Sequence, residues 1–313
     1  MKTKPILAAG RLALTLLLGS AMPGRAVAFV PGEILIAYEG TNRIQRYSAS
    51  GTLLQTFTGT GPSSMGWAGA SLTPEGNLVS IYNNPISGAT GVTIFNPNGT
   101  QITTFPVPGP AVVGDVSVFP NGTLAVSNHF NNTVQLWSQA GTLLKTISTP
   151  AWGSTVGADG VLYVGAYNFG SISRIDSIGS ILGGRSLAFT PGDLVMNPLD
   201  GTFWVSGYTN DLVEHITTNG QVLGSFATGL SGQFGGIGLA PDNQSLYVTS
   251  KNSTVVEHFD LNGNLLDSFN LISPVVPLFL TVVPAATPEP GCAALLLSGC
   301  VLLVSRRRSG GSK

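Results

Sequence analysis

Two features are scarce in this sequence: charged residues and cysteines. Charged residues make up 9% of the 313 residues, against about 25% in an average soluble domain. Both cysteines, Cys292 and Cys300, lie close to the C-terminus. Residues 1–291 therefore offer no disulfide framework, no cysteine nucleophile and no thiolate zinc site.

Basic residues are rarest in the body of the chain. Residues 29–286 hold six Lys and Arg against fourteen Asp and Glu, a formal charge near −8. An acidic body without a basic stripe argues against nucleic-acid binding. Sequence patterns such as HExxH, GxSxG and the phosphate-binding P-loop are also missing. The sequence therefore predicts no catalytic residue.

Glycine and proline are abundant instead. The chain has 41 Gly and 20 Pro, together with many Ser, Thr and Asn. This composition is typical of short strands joined by tight turns and predicts an all-β protein.

The N-terminus has the features of a secretory signal peptide. A basic start is followed by an apolar stretch and by the small-residue site Ala26-Val27-Ala28. Residues 1–28, an N-terminal signal helix, would direct the chain to the Sec export machinery, and a cut after Ala28 would then remove them.

The C-terminus combines three elements in order. Pro288-Glu289-Pro290 is followed by an apolar run over residues 291–304 and then by Arg306, Arg307 and Arg308. As a helix the run would reach about 21 Å, short of the ~30 Å hydrocarbon core. Residues 287–305 with snorkelling arginines could span it, which predicts a C-terminal transmembrane helix with its basic end in the cytoplasm.

These three elements resemble the PEP-CTERM sorting signal of exported bacterial proteins, over residues 287–313. The resemblance implies an exosortase-type membrane protease as a partner, cutting near Pro288, Glu289 and Pro290. It also implies a protein that is membrane-anchored first and then released or placed on the cell surface, in an exopolysaccharide setting. Cys292, Cys300 and the final residues 309–313 depart from the usual pattern of that signal.

Six repeats fill the space between the two ends. Copies begin at residues 32, 76, 122, 160, 201 and 244, a period typical of the four-stranded blades of a propeller. Each copy has an apolar strand, an alternating strand that ends on a large residue, a turn with Gly, and a final strand. The large residues are Tyr47, Phe95, Trp137, Ile175, Ile216 and Phe259.

The first copy lacks an inner strand before it. Residues 277–284, PLFLTVVP, match the inner-strand pattern after the sixth copy. We therefore predict a six-bladed propeller over residues 29–286, closed by this C-terminal strand in blade one. The repeats resemble those of the NHL and YVTN propeller families, which supports the fold and says little about function.

Three histidines are candidates for chemistry. His215 and His258 follow Glu214 and Glu257 at equivalent places in two repeats. Consecutive strand residues point to opposite sheet faces, so neither Glu-His pair converges on one ion, and ordinary strand positions are the preferred interpretation. His129, in a loop, could reach a ligand or simply be solvated.

Two aspartates offer a better site. Asp115 and Asp193 each lie five residues before a strand-ending proline, and the equivalent residues elsewhere are Gly69, Gly153, Gly236 and Phe279. Together with Asn197 they could bind a divalent cation such as Ca²⁺ in the channel. Alternatively, each Asp caps a local turn.

The sequence thus leaves several functions open. The preferred one is an exported, non-enzymatic propeller that binds extracellular polysaccharide or protein. The alternatives are a divalent-cation-dependent hydrolase or lactonase with its site in the channel, and a purely structural matrix component.

Overall fold

A computed structural model describes residues 28–60, 66–84, 87–108, 114–166, 168–230, 235–272 and 277–285. Strands, turns and irregular segments make up these ranges, which contain no helix. Both predicted flanking helices, in residues 1–28 and 287–313, lie outside them apart from Ala28.

Within the described ranges, twenty-four strands alternate with turns and loops. Those of the first half are β1 (Ile34–Tyr38), β2 (Ile44–Tyr47), β3 (Leu53–Phe57), β4 (Gly66–Leu72), β5 (Leu78–Asn83), β6 (Thr90–Phe95), β7 (Gln101–Pro106), β8 (Val116–Val118), β9 (Leu124–Asn128), β10 (Thr133–Trp137), β11 (Leu143–Ser148) and β12 (Ser154–Val156). Those of the second half are β13 (Leu162–Ala166), β14 (Ser171–Ile175), β15 (Ile181–Ser186), β16 (Pro191–Met196), β17 (Phe203–Gly207), β18 (Leu212–Ile216), β19 (Val222–Ala227), β20 (Ile237–Leu239), β21 (Ser245–Thr249), β22 (Val255–Asp260), β23 (Leu265–Asn270) and β24 (Pro277–Val282).

The strands form six antiparallel sheets of four strands each. Blade one has the order β24-β1-β2-β3, and blades two to six are β4–β7, β8–β11, β12–β15, β16–β19 and β20–β23. Each blade's innermost strand contacts the innermost strand of the next blade, and β20 contacts β24, so the ring closes. The prediction of a six-bladed propeller is confirmed.

The predicted closure is also confirmed. Strand β24 pairs with β1 along its length, with Leu280 opposite Ile36 and Val282 opposite Ile34. The pairing extends to Gly32, whose N–H donates to the carbonyl of Val283 at 2.9 Å. The first and last described residues of the propeller therefore meet in blade one, and its inner edge is paired.

Apolar clusters lie at all six blade interfaces. Between blades two and three, for example, Val79 and Ile94 pack with Val126 and Trp137. The large residues that end the third strands are all buried in such clusters. Burial of this kind, at about 25 cal/mol per Å² of apolar surface, stabilises the ring.

The turns between the third and fourth strands explain the repeated glycines. The predicted turn glycines at 51, 99, 141, 179, 220 and 263 all have φ between 78° and 88°, a region that strongly favours glycine. A Cβ on Gly51 would also lie 2.2 Å from Cγ of Phe269 in the preceding blade. All six positions therefore favour glycine for the turn, and Gly51 also needs it for the contact between blades.

Candidate functional site

The six innermost strands surround a cavity of about 1140 Å³ on the propeller axis. We call it the channel cavity. At one end lie the residues that follow the inner strands, including Pro74, Pro120, Pro198, Pro241 and Pro284. We call that end of the propeller the proline face. At the other end of the cavity lie Asp115, Asp193 and Phe279, which form its floor.

Large and small residues alternate around the floor. Asp115, Asp193 and Phe279 belong to blades three, five and one, and glycines hold the equivalent positions in the three blades between them. A Cβ on Gly69 would lie 2.5 Å from Oδ1 of Asp115, and one on Gly153 would lie 2.8 Å from Cα of Asp193. Each glycine therefore makes room for the larger residue of the next blade.

Asp115 joins blade three to blade four. Its Oδ2 accepts the backbone N–H and the hydroxyl of Ser154, both at 3.0 Å. Asp115 is 6% exposed. Burial raises the pKa of its carboxyl to about 7, and the hydrogen bonds from Ser154 partly oppose this rise. The carboxyl of Asp115 therefore keeps its proton to a higher pH than an exposed aspartate does.

Asp193 joins blade five to blade six in the same way. Its Oδ2 accepts the backbone N–H of Ile237 at 3.1 Å, and its Oδ1 accepts the N–H of Leu194 at 2.9 Å. Burial and then the negative charge of Asp115 raise the pKa of Asp193 well above its usual value. The two carboxyls thus interact electrostatically, and neither merely caps a local turn.

The structure also reveals a ring of hydroxyls that the sequence interpretation missed. Ser71, Ser117, Thr155 and Thr281 line the cavity two residues nearer to the proline face than the floor. The Ser117 hydroxyl lies 2.9 Å from that of Ser154, and Thr281 donates to the carbonyl of Ala70. Aligning the inner strands three residues before their prolines would have found Ser71, Ser117 and Thr281.

Asn197 does not join the two aspartates. Its side-chain oxygen accepts the N–H of Leu199 at 3.0 Å, within the turn that follows β16. Among the described residues, no group of three or more His, Cys, Asp or Glu side chains is placed to hold a metal ion. The Ca²⁺ site of Asp115, Asp193 and Asn197 stays a prediction, with two of its three residues in the cavity.

An aromatic cluster lies directly behind the floor. Trp152 packs with Phe279 at a ring distance of 5.7 Å, and Ala68 and Leu278 complete the buried cluster. His129 lies against Trp152, with ring centroids 4.8 Å apart. The loop histidine therefore contacts the aromatic side of the floor and not the channel cavity.

His215 and His258 are strand residues that stack on aromatic partners. His215 lies parallel to Trp204 at 4.2 Å, and His258 lies parallel to Tyr247 at 4.1 Å. In each pair the two residues lie directly opposite one another on neighbouring strands. Their Nε2 atoms lie 2.7 Å from Thr202 Oγ1 and 2.8 Å from Ser245 Oγ, respectively. These contacts account for both histidines without a ligand.

Ala28, where the signal peptide is predicted to be cut, lies beside blade one. Its carbonyl accepts a 3.0 Å hydrogen bond from Arg46. Ala26 and the sorting-signal residues Pro288, Glu289, Pro290, Arg306, Arg307 and Arg308 lie outside the described residues. Within the described ranges no helix is long and apolar enough to cross a membrane.

Comparison with known proteins supports the fold. No protein-family model matches the sequence, and no curated protein matches it significantly. Among solved structures, a protein of unknown function from Bacteroides caccae is 14% identical with a TM-score of 0.61, over 81% of this chain and 99% of that one. A streptogramin B lyase is 18% identical with a TM-score of 0.59, over 77% and 80%.

A virginiamycin B lyase from Staphylococcus aureus is similar at the same level. It is 16% identical with a TM-score of 0.58, over 79% of this chain and 83% of that one. At such identities a likeness shows a shared fold and does not carry an activity. The chain is thus a six-bladed β-propeller of the architecture that these lyases and proteins of unknown function share.

Proposed function

We propose that this protein is an exported binding propeller, held at or released from the bacterial cell surface, which takes a small ligand into its channel cavity. The observation that supports binding is the cavity itself. Its volume, about 1140 Å³, exceeds the 300–1,000 Å³ or so of most ligand pockets. Its described lining combines apolar side chains with hydroxyls and carboxyls, as ligand pockets do.

The position of the chain ends is compatible with the proposed export route. Ala28 and Ala285 both line the channel cavity, so both ends of the propeller lie at the proline face. Only residues 286 and 287 separate Ala285 from Pro288. Since a residue spans at most about 3.6 Å, a protease that cuts at Pro288-Glu289-Pro290 would work close to this face.

The export proposal is tested by mass spectrometry of the mature protein from a bacterial host that has an exosortase-type protease. We expect an N-terminus at Phe29 and a C-terminus close to Pro290. A host lacking that protease should keep the C-terminal tail. An intact N-terminus, or a tail retained in both hosts, would contradict the proposed processing.

The binding proposal is tested by filling the channel cavity. Val195 lines it and is only partly buried, so Val195→Trp should occupy part of the space. Calorimetric titration of the full chain with 1-hexanol should give a binding heat that Val195→Trp reduces. Leu266→Trp is the control because Leu266 lies on the outer surface, 53% exposed. Equal heats for all three proteins would contradict binding in the cavity.

A second candidate is a hydrolase or lactonase that uses a divalent cation. Asp115 supports it, since a carboxyl with a pKa of about 7 is suited to general acid-base catalysis. The likeness to two lyases raises this alternative without assigning a substrate. Titration with Ca²⁺ should then give a thermal shift, and lactone hydrolysis should fall in Asp115→Asn. No shift and no hydrolysis would remove this candidate.

A further inference from the structure

The charge of the channel cavity is of one sign. Among the described residues three carboxyls line it: Asp115 and Asp193 at the floor and Glu75 near the proline face. The described residues that line it include no Lys, Arg or His. Negative charge in this space is therefore not balanced by a side chain of the described lining.

The hydrogen bonds at the floor do not remove that imbalance. Asp115 and Asp193 accept bonds from Ser154, Leu194 and Ile237. These donors are neutral, so they satisfy lone pairs and leave the net charge in place. A buried carboxylate without a counter-ion is costly, and a cation beside it would recover part of that cost.

The small number of oxygen acceptors at the floor favours an ammonium group over a metal ion. Ca²⁺ takes six to eight oxygen ligands, whereas an ammonium needs only about three acceptors. The floor offers two carboxyls, already engaged by neighbouring backbone, and the hydroxyl ring lies two residues above them. Such a sparse set suits a group with few, directional donors.

The rest of the cavity indicates the body of the ligand. Above the hydroxyl ring the lining becomes apolar, with Leu72, Val118, Val156 and Leu239, and then reaches the prolines. A molecule entering from the proline face would therefore place an amine at the floor. Its hydrophobic part would contact the apolar lining near the mouth.

We propose that the channel cavity binds an organic cation whose protonated amine lies between Asp115 and Asp193 and whose apolar part fills the outer half of the cavity. This inference rests on the proposed binding function and adds the chemical class of its ligand. It assigns the two aspartates to recognition of a positively charged group.

Binding of such a cation is linked to proton release. The pKa of each floor carboxyl is raised in the folded protein, so both are largely protonated at low pH. A cation favours the ionised form, so its affinity should rise with pH as the pair of floor carboxyls loses its protons. A neutral ligand should not show this rise.

The experiment titrates hexylammonium and its neutral counterpart 1-hexanol into the full chain by calorimetry. At about pH 8 we expect hexylammonium to bind at least tenfold more tightly, and this preference to shrink at about pH 5.5. Asp193→Asn and Asp115→Asn should each reduce the preference. Asp267→Asn is the control, since Asp267 lies on an outer strand with its side chain 62% exposed.

The outcomes separate this inference from the proposed binding function. If 1-hexanol binds as tightly as hexylammonium and Val195→Trp weakens the binding of both, the cavity binds ligands but the cationic class is wrong. If Ca²⁺ displaces hexylammonium at equal concentration, the floor is a metal site and the inference is overturned. If 1-hexanol binds and hexylammonium does not, the inference also fails. The comparison of the two ligands at the two pH values needs only the unmodified protein. It therefore still tests the inference if a variant does not fold.

Discussion

Asp115 of blade three and Ser154 of blade four are joined by two hydrogen bonds to a single carboxylate oxygen, each 3.0 Å long. Asp193 repeats the relationship two blades later, with the N–H of Ile237. In both cases the carboxyl reaches the innermost strand of the next blade. The two aspartates thus connect neighbouring blades by hydrogen bonds, and they also place acidic groups at the cavity floor.

The first prediction concerns the pH dependence of stability. Asp115 has a pKa of about 7 when folded and about 3.9 when unfolded, so the folded state binds more protons between these values. Stability should therefore fall as the pH rises from about 4 to about 7, by up to about 4 kcal/mol from this group. Thermal unfolding over this pH range measures it.

Asp115→Asn keeps an acceptor for the Ser154 N–H and cannot ionise. The variant should show a smaller loss of stability across the same pH range, and Asp193→Asn should act in the same direction. Asp211→Asn provides the exposed control, since Asp211 lies outside the channel cavity. A wild-type protein that gains stability between about pH 4 and 7 would contradict the assignment of these buried acids.

Much of the fold could be predicted because the sequence repeats correspond to the blades of the propeller. The position of each turn glycine and the inner-strand pattern of residues 277–284 fix the blade count and the closure. The contacts between blades could not be predicted in the same way. That Asp115 reaches Ser154, 39 residues later, depends on how neighbouring blades are placed, which no local pattern encodes.

The candidate site could be predicted only in part, because the sequence repeats show which positions are equivalent but not which side chains meet. Alignment of the repeats identifies Asp115 and Asp193 as equivalent, and the structure places both at the floor. Asn197 seemed available as a third ligand because only its distance along the strand was known; its side chain instead accepts the N–H of Leu199. The stacking of His215 on Trp204 depends on strand register, which the sequence alone does not specify.

The second prediction concerns the small residues at the floor. A Cβ on Gly236 would lie 2.1 Å from the backbone N of Leu280, and a backbone atom of a paired strand cannot move aside easily. Gly236→Ala should therefore destabilise the protein by about 1–3 kcal/mol or more, measured by denaturant unfolding. Gly224→Ala is the matched control, because a Cβ there has no neighbour within 4 Å. Equal effects at the two sites would contradict this account of the floor.

The third prediction tests the closure of the ring by truncation. Strand β24 buries Leu278, Phe279, Leu280 and Val282, each worth about 1.5–3 kcal/mol. Their sum is comparable with the 5–15 kcal/mol or so of a typical fold. A chain that stops after Ile272 should lose cooperative thermal unfolding. A chain that stops after Ala285 keeps β24 and should retain it; a cooperative transition in both would contradict the closure.

The fourth prediction compares two ion pairs that differ in burial. Arg46 donates to both carboxylate oxygens of Glu33 at 2.7 Å, and its side chain is 4% exposed. It also lies 4.7 Å from the centre of the Phe29 ring, so it fastens the start of the propeller to blade one. Because Arg46→Met leaves Glu33 buried without its partner, it should cost about 3–5 kcal/mol.

The pair of Lys251 and Glu39 is the control for that prediction. It is nearly as short at 2.8 Å, but the side chains are 33% and 45% exposed, and exposed pairs contribute about 0–1 kcal/mol. Lys251→Met should therefore change the free energy of unfolding little, and added salt should reduce even that effect. If the two variants lose the same stability, burial does not set the strength of these pairs, and Arg46 is not what holds residues 28–33 against blade one.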